Sequence, residues 1–203
     1  EVLEWLEVPA MRQRFGIAAE DLPLLQVWAR ESQIRWGLHA DHRAAFELDQ
    51  SPQAAHRHTW DFGLRRMLLG YAAGADAPAW RDIEPYDEPA GLQAAVLGGL
   101  AHFLDTLDHY WRRLSEPAPP AHWGGCLQAL LDDFFTPDQD ADALVLNRFR
   151  EGLQDWLQQC QAADLLEPLP SAIAAEHCLG WLDQGGLSQR FFAGAVTFAT
   201  LMP

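Results

Sequence analysis

The side chains that could bind a metal ion are present, but their spacing does not match a familiar ligand set. His56 and His58 lie two positions apart in HRHTW, with His42 as a further imidazole, and no carboxylate or cysteine stands at a convincing ligand spacing. The acidic stretch DQDADALVLNRF (138–149) lacks the glycine and the terminal glutamate of a calcium loop. Acids at the start of a helix have a simpler role, which is to oppose the helix dipole. We therefore predict no metal site.

The nucleophilic side chains form no catalytic arrangement that can be read from their spacing. Glu176, His177 and Cys178 are consecutive, and neighbouring side chains on a helix point about 100° apart. The three cysteines, at 126, 160 and 178, are widely spaced and form no CxxC motif. This pattern favours small buried hydrophobic residues in a reducing compartment. We predict no catalytic residue and a cytoplasmic location.

The charge balance excludes several further chemistries. The 203 residues include 29 acidic side chains and 14 arginines but no lysine, and the formal net charge is −15. A P-loop needs a lysine on the nucleotide phosphates, and a pyridoxal enzyme needs a Schiff-base lysine. The negative charge disfavours a broad phosphate-binding face, so we expect the chain alone to bind duplex DNA weakly. We predict no cofactor, and no membrane partner, since no apolar run approaches the roughly 18–20 residues of a membrane span.

Two arginine pairs and one tryptophan are the candidate contacts with DNA or with a protein partner. Arg65–Arg66 and Arg112–Arg113 each lie within a predicted helix, where one member could meet a phosphate or a partner's acid. The alternative is an ordinary solvated helix face. Trp36, in IRWG, could stack on a base, and its alternative is packing into the core.

Apolar periodicity predicts a mostly α multi-helix domain of six to eight helices that ends in one short strand. A helix over about 59–73 has Thr59 as its N-cap and one stripe that contains Trp60, Leu64, Met67, Leu68 and Tyr71. The longest helix is predicted over about 90–115, and further helices over about 18–31, 121–135, 138–162 and 170–183.

The end of the sequence departs from the helical pattern. The last helix is expected to end at Gly185–Gly186, and VTFATL, at about 196–201, is typical of a strand. We therefore predict a helical domain over 1–186 and a separate segment over 187–203. Because the sequence begins within a helical pattern and ends on an unpartnered strand, we expect a piece of a larger protein. The alternative is a processed chain whose strand pairs locally.

Four blocks of sequence are similar to one family. They are WARESQIRWGL (28–38), TWDFGLRRMLLGYA (59–72), PYDEPAGLQA (85–94) and LSQRFFAGAVTFATLMP (187–203). Together they resemble the RecC family, the gamma chains of bacterial exodeoxyribonuclease V, which is the RecBCD helicase–nuclease. The likeness runs along essentially the whole sequence.

The resemblance implies a non-catalytic structural segment, namely the helical insertion of a superfamily-one helicase-like subunit. The segment over 187–203 would be the return into a truncated RecA-like domain. Active relatives follow the corresponding strand with threonine, isoleucine and histidine, whereas Thr200 is followed here by Leu201 and Met202. The resemblance therefore implies that this segment does not hydrolyse ATP.

The implied partners are the beta (RecB) and alpha (RecD) subunits, with duplex and single-stranded DNA bound through the complete complex. The implied process is double-strand break repair and homologous recombination by DNA unwinding, degradation and Chi recognition. A second hypothesis, from composition alone, is a free-standing acidic helical protein that binds a small molecule. That hypothesis predicts a closed domain with a convergent cluster of polar groups.

Overall fold

The computed structural model describes residues 2–46, 55–74, 77–86 and 93–192, with side chains up to residue 182. The predicted strand at about 196–201 lies outside these residues. Within them the fold is mostly α, as predicted. The α-helices, numbered in chain order, are α1 Pro9–Arg14, α2 Leu22–Glu31, α3 Ala40–Ala44, α4 Trp60–Ala73, α5 Ala94–Leu114, α6 Pro120–Phe134, α7 Asp140–Ala162 and α8 Ser171–Phe192.

Two helices differ from the sequence-based expectation. The 21-residue α5 was predicted to be the longest helix, but α7 has 23 residues. Helix α8 continues past Gly185–Gly186 to Phe192, so these glycines do not end it. A glycine inside a helix costs only about 1 kcal/mol relative to alanine, which neighbouring helical turns can offset. Short 3-10 helices, Val2–Glu7 and Ala19–Asp21, precede α1 and α2.

The chain divides into two compact units. The first comprises Glu1–Trp111 with Asp133–Thr136, and the second comprises Arg112–Asp132 with Pro137–Pro203. Among the described residues, none of the helices is long and apolar enough to cross a membrane.

Aromatic rings at the centre of the first unit join its early and late segments. The ring of Phe15 lies edge-on to the rings of Phe103 and Phe134, with centroids 5.1 and 6.0 Å away. Helix α5 approaches this segment closely because Gly99 has no side chain, and a Cβ there would lie 2.5 Å from the carbonyl oxygen of Phe15. Trp28 is fully buried in the same unit. Val96 and Leu100, on the same side of α5 as Phe103, are buried in this core as well.

Helix α4 begins as the sequence predicted, and it buries the first three residues of the predicted stripe. The Thr59 hydroxyl accepts a hydrogen bond from the amide of Phe62 at 3.2 Å, which confirms the N-cap. The predicted stripe is wrong at its end, because Leu68 and Tyr71 are 41% and 51% exposed. Two glycines, Gly63 and Gly70, complete the buried face.

A return segment, residues 133–136, completes the first unit. The amide of Thr136 donates to the carbonyl of Ala10 at 2.8 Å, and Arg14 Nε donates to the carbonyl of Asp133 at 3.1 Å. The hydroxyl of Tyr110 donates to the Asp133 carboxylate at 2.7 Å. These bonds hold Phe134 against the core rings.

The second unit is built on helices α6, α7 and α8. Trp123 is fully buried, and its indole N–H donates to the carbonyl of Leu169 at 2.8 Å. Leu169 also pairs with Ala118 through two backbone hydrogen bonds. Gly152 of α7 allows Trp181 of α8 to approach, since a Cβ at Gly152 would lie 2.9 Å from that side chain. All three cysteines are buried, as predicted.

Candidate functional site

An open groove in the first unit brings Trp36 together with other exposed aromatic side chains. Its volume is about 630 Å³, and its lining includes Trp5, Arg35, Trp36, His42, Phe46 and Trp60. Trp5 and Phe46 are 50% and 60% exposed, and Trp36 is 37% exposed. Trp36 therefore does not fill the core, which was the alternative prediction for it. A groove with several accessible aromatic faces is suited to stacking against a planar group.

The buried Arg43 holds Trp36 in place. Its guanidinium carbon lies 4.7 Å from the centre of the Trp36 ring, within the range of a cation–π contact. The same guanidinium donates to the Trp36 carbonyl through Nε at 3.3 Å and through an Nη at 2.8 Å. Arg43 is only 4% exposed, and its burial lowers its pKa. One side chain thus fixes both the ring and the backbone of Trp36.

Arg43 also ties this loop to the segment that precedes α4. Its other Nη donates to the carbonyls of Ala55 and Arg57, at 3.2 and 2.8 Å. Gly37 has a positive φ of 77°, and a Cβ there would lie 2.8 Å from the Arg43 side chain. This position therefore requires glycine for both its conformation and its space. The hydrogen bonds of Arg43 therefore connect the Trp36 loop to the segment before α4.

Two histidines beside the groove pack against Trp111. The ring centroids of His39 and His42 lie 4.9 and 5.6 Å from that of Trp111. His39 Nδ1 accepts the amide of His42 at 3.2 Å and thereby caps α3, and its Nε2 lies 2.6 Å from the Asp108 carboxylate. Burial, and to a smaller degree the neighbouring His39, lowers the pKa of His42. His42 is therefore an uncharged part of the groove at neutral pH.

The two arginines of the first predicted pair have different surroundings. Arg65 is 60% exposed and pairs at 2.9 Å with Asp61, one turn earlier on α4. Arg66 donates to the carbonyls of Ser32 at 3.0 Å and Glu84 at 3.1 Å. Arg66 thus joins the C-terminal end of α2 to the segment after α4, whereas Arg65 faces solvent.

The second pair lies at the end of α5, in the second unit. Arg112 and Arg113 are both exposed. The positive charge of Arg113 is close enough to Cys126 to lower the pKa of that thiol, but burial of the thiol has the larger effect and raises it.

No metal centre is formed by the described residues, which contain no cluster of three or more His, Cys, Asp or Glu side chains able to hold an ion. His58 uses its Nδ1 in a 2.9 Å hydrogen bond with the carbonyl of Gln33.

Arg43 was not among the residues predicted from the sequence, although its side chain holds Trp36 in place. No signal near ADHRAAF indicated a buried arginine, because its partners lie 7 to 14 residues away.

Comparison with known proteins decides the family. A family model for the RecBCD enzyme subunit RecC fourth domain matches residues 1–186. Over 203 residues the chain is 37% identical to the RecBCD enzyme subunit RecC of Escherichia coli strain K12 and 30% identical to that of Haemophilus influenzae. The chain belongs to the RecC family. A RecC of Mycobacterium tuberculosis is 35% identical over 133 residues, which is 65% of this chain.

The chain corresponds to a limited part of these RecC proteins. All of it is matched, but it spans 18% of the Escherichia coli RecC and 17% of the Haemophilus influenzae RecC. The family resemblance seen in the four sequence blocks is thus confirmed, and the small-molecule-binding alternative receives no support. The matched range includes Trp36 and both arginine pairs. The division at 186 and 187 and the role of each candidate residue stay predictions.

Proposed function

We propose that this chain is a non-catalytic structural segment of the gamma subunit of exodeoxyribonuclease V. Its match to RecC along its entire length is the observation that carries the proposal. The complete cytoplasmic enzyme would act in double-strand break repair and homologous recombination, through DNA unwinding, DNA degradation and Chi recognition. The segment would contribute a scaffold rather than reacting groups.

The composition supports the non-catalytic role. Nucleotide hydrolysis by helicase-type motors depends on a P-loop lysine that contacts the phosphates, and this chain has no lysine. Among the described residues, those that line the groove around Trp36 include no serine, threonine, cysteine or carboxylate that could act as a nucleophile. These features suit packing and recognition.

The partners would be the beta (RecB) and alpha (RecD) subunits, with duplex and single-stranded DNA bound through the complete complex. The accessible aromatic groove around Trp36 supports its proposed role as a contact surface. Arg65, Arg112 and Arg113 are the exposed members of the two arginine pairs. We assign Arg66 to a supporting position, because its guanidinium already binds two carbonyls.

The non-catalytic role can be tested on the full-length gamma subunit. Purified alone, this subunit should not hydrolyse ATP in the presence of linear duplex DNA. When the beta and alpha chains are added, the mixture should hydrolyse ATP in a DNA-dependent manner and degrade the DNA. Hydrolysis by the gamma subunit alone, in a preparation shown to lack the other chains, would contradict the proposal.

The groove can be tested with Trp36→Ala in the complete three-subunit complex. Loss of one base stack is worth about 1–3 kcal/mol, so a DNA contact predicts a roughly 5- to 150-fold weaker affinity for single-stranded DNA. A subunit contact instead predicts weaker assembly with unchanged DNA affinity. Thermal melting of the variant subunit controls for lost packing with Arg43. If neither the affinity for single-stranded DNA nor the assembly of the complex changes, Trp36 has no contact role.

A further inference from the structure

A two-residue turn between Trp80 and Ile83 has a conformation that its sequence does not favour. Trp80 and Ile83 exchange two backbone hydrogen bonds, each 3.0 Å long. The central residues, Arg81 and Asp82, both have positive φ, at 50° and 62°. Turns of this pattern usually contain Asn-Gly, Asp-Gly or Gly-Gly, since residues other than glycine, asparagine and aspartate are strained at positive φ. An arginine in this conformation needs an explanation.

The turn displays an aromatic ring and a cation together. Trp80 is 55% exposed, and the guanidinium carbon of Arg81 lies 4.5 Å from the centre of its ring. Stacking holds both side chains in one arrangement at the surface. Tryptophan and arginine are the residues most often found at the energetic centres of protein interfaces. Because the two side chains are already stacked, they would lose little conformational entropy when a partner binds.

The segment that follows the turn is tied to two helices. Arg66 of α4 donates to the Glu84 carbonyl at 3.1 Å, and the amide of Tyr86 donates to the Arg66 carbonyl at 2.9 Å. The Tyr86 hydroxyl donates to Glu31 of α2 at 2.8 Å. These bonds give the turn a fixed base, so its tip is presented by a supported segment rather than by a free loop.

The charges near the tip favour a protein over a nucleic acid. Arg81 is followed by Asp82 and Glu84, both exposed, and the chain as a whole carries a formal charge of −15. One cation beside two carboxylates does not attract a phosphate backbone. A phosphate backbone would bring a row of negative charges towards Asp82 and Glu84, whereas a protein pocket can offer apolar walls to the indole and a single carboxylate to the guanidinium.

We infer that the Trp80–Arg81 turn is a contact element for a neighbouring protein subunit, with the indole inserted into an apolar pocket that carries an acidic group at its rim. This inference rests on the proposed function, which places the chain in a multi-subunit enzyme. The backbone strain persists because it aims the two side chains outwards.

The test uses the full-length gamma subunit, titrated separately with the beta and the alpha chain. Trp80→Ala should weaken binding to one of them by at least about tenfold, as expected for an aromatic anchor. Trp80→Phe should keep part of the affinity. Tyr71→Ala is the matched control, because Tyr71 is an aromatic residue of the same unit with 51% exposure. It should leave both affinities unchanged.

A second variant separates a contact role from a purely structural one. Arg81→Asn combined with Asp82→Gly gives the turn its preferred sequence, so the melting temperature of the subunit should rise. A contact role predicts that this more stable subunit also binds its partner more weakly. A purely structural turn predicts higher stability with unchanged binding, and that result would overturn the inference.

The remaining outcomes are also decisive. If the wild-type subunit binds the other chains and Trp80→Ala binds them equally well, the inference fails while the proposed function stands. If the wild type binds neither chain, the proposed function itself fails. If Trp80→Ala weakens only the DNA affinity of the assembled complex, the turn is a DNA contact and the inference is wrong.

Discussion

The guanidinium of Arg43 stacks on the ring of Trp36 and donates two hydrogen bonds to the carbonyl of the same residue. The arginine is buried, and the same guanidinium also donates to the carbonyls of Ala55 and Arg57. Such an arrangement is sensitive to any change in the side chain, because each lost donor leaves a buried carbonyl without a partner.

Replacement of Arg43 by methionine should destabilise the protein strongly. The change removes charge-assisted hydrogen bonds to three carbonyl groups, at Trp36, Ala55 and Arg57. We expect a loss of about 3 kcal/mol in the free energy of unfolding, measured by urea denaturation. Arg65→Met is the control and should cost less than about 0.5 kcal/mol, since Arg65 forms an exposed pair within one helix. Equal losses for the two variants would show that Arg43 does not organise the loop.

Two adjacent glycines of α5 should respond oppositely to alanine. Gly98→Ala should stabilise the protein by about 0.5–1 kcal/mol, because no atom lies within 4 Å of the added Cβ. Gly99→Ala should destabilise it, since its Cβ would meet the Phe15 carbonyl oxygen at 2.5 Å. Thermal melting of both variants tests the close approach. Stabilisation by both would mean that α5 and the Phe15 segment are further apart.

The pH dependence of stability should reflect His42. Its pKa is lowered in the folded state, so below the usual histidine value of about 6.5 the unfolded chain takes up a proton more readily. The stability that uncharged His42 contributes is present above about pH 6.5 and is lost as the pH falls through the lowered pKa. His42→Gln should therefore lose less stability than the wild type between about pH 7.5 and about pH 5. His122→Gln, at an exposed site of α6, controls for the general loss of an imidazole. If the free energy of unfolding of His42→Gln fell with pH as steeply as that of the wild type, His42 would not be the source of this pH dependence.

The cysteines should be unreactive in the folded protein. Burial raises the pKa of Cys178 to about 11, and it raises the pKa values of Cys126 and Cys160 as well. The thiolate is the reactive form, and at about pH 8 only about one Cys178 side chain in a thousand would carry it. A disulfide reagent such as DTNB should label none of them before unfolding and all three in guanidinium chloride. Rapid labelling of the native protein would show that the thiols are accessible.

Short-range sequence patterns were sufficient to predict where a helix begins and which regularly spaced apolar residues it buries. Thr59 was identifiable as an N-cap, and Val96, Leu100 and Phe103 repeat at helical spacing and are buried. The end of the buried face of α4 was harder to predict, because this helix packs partly through Gly63, whose missing side chain makes room for Ile34. Counting large apolar residues therefore placed Leu68 and Tyr71 in the stripe by mistake.

The candidate surfaces depended on contacts that the sequence does not display. Arg43 is next to Ala44 and Ala45 in a short polar stretch, and its role follows only from carbonyls brought near it by folding. The segment that contains Trp80 lies between two predicted helices, and WRDI has no glycine or asparagine to indicate a tight turn. The membership of the RecC family, by contrast, was apparent from continuous blocks of sequence.

The return of residues 133–136 to the first unit affects the order in which the chain can fold during synthesis. Phe134 supplies a core ring, and Thr136 bonds to Ala10, which lies more than a hundred residues earlier. Closing so long a loop is slow relative to forming local helices. On the ribosome, the first unit can complete its core only after residue 136 has emerged, when residues 137–203 of the second unit have yet to leave the exit tunnel.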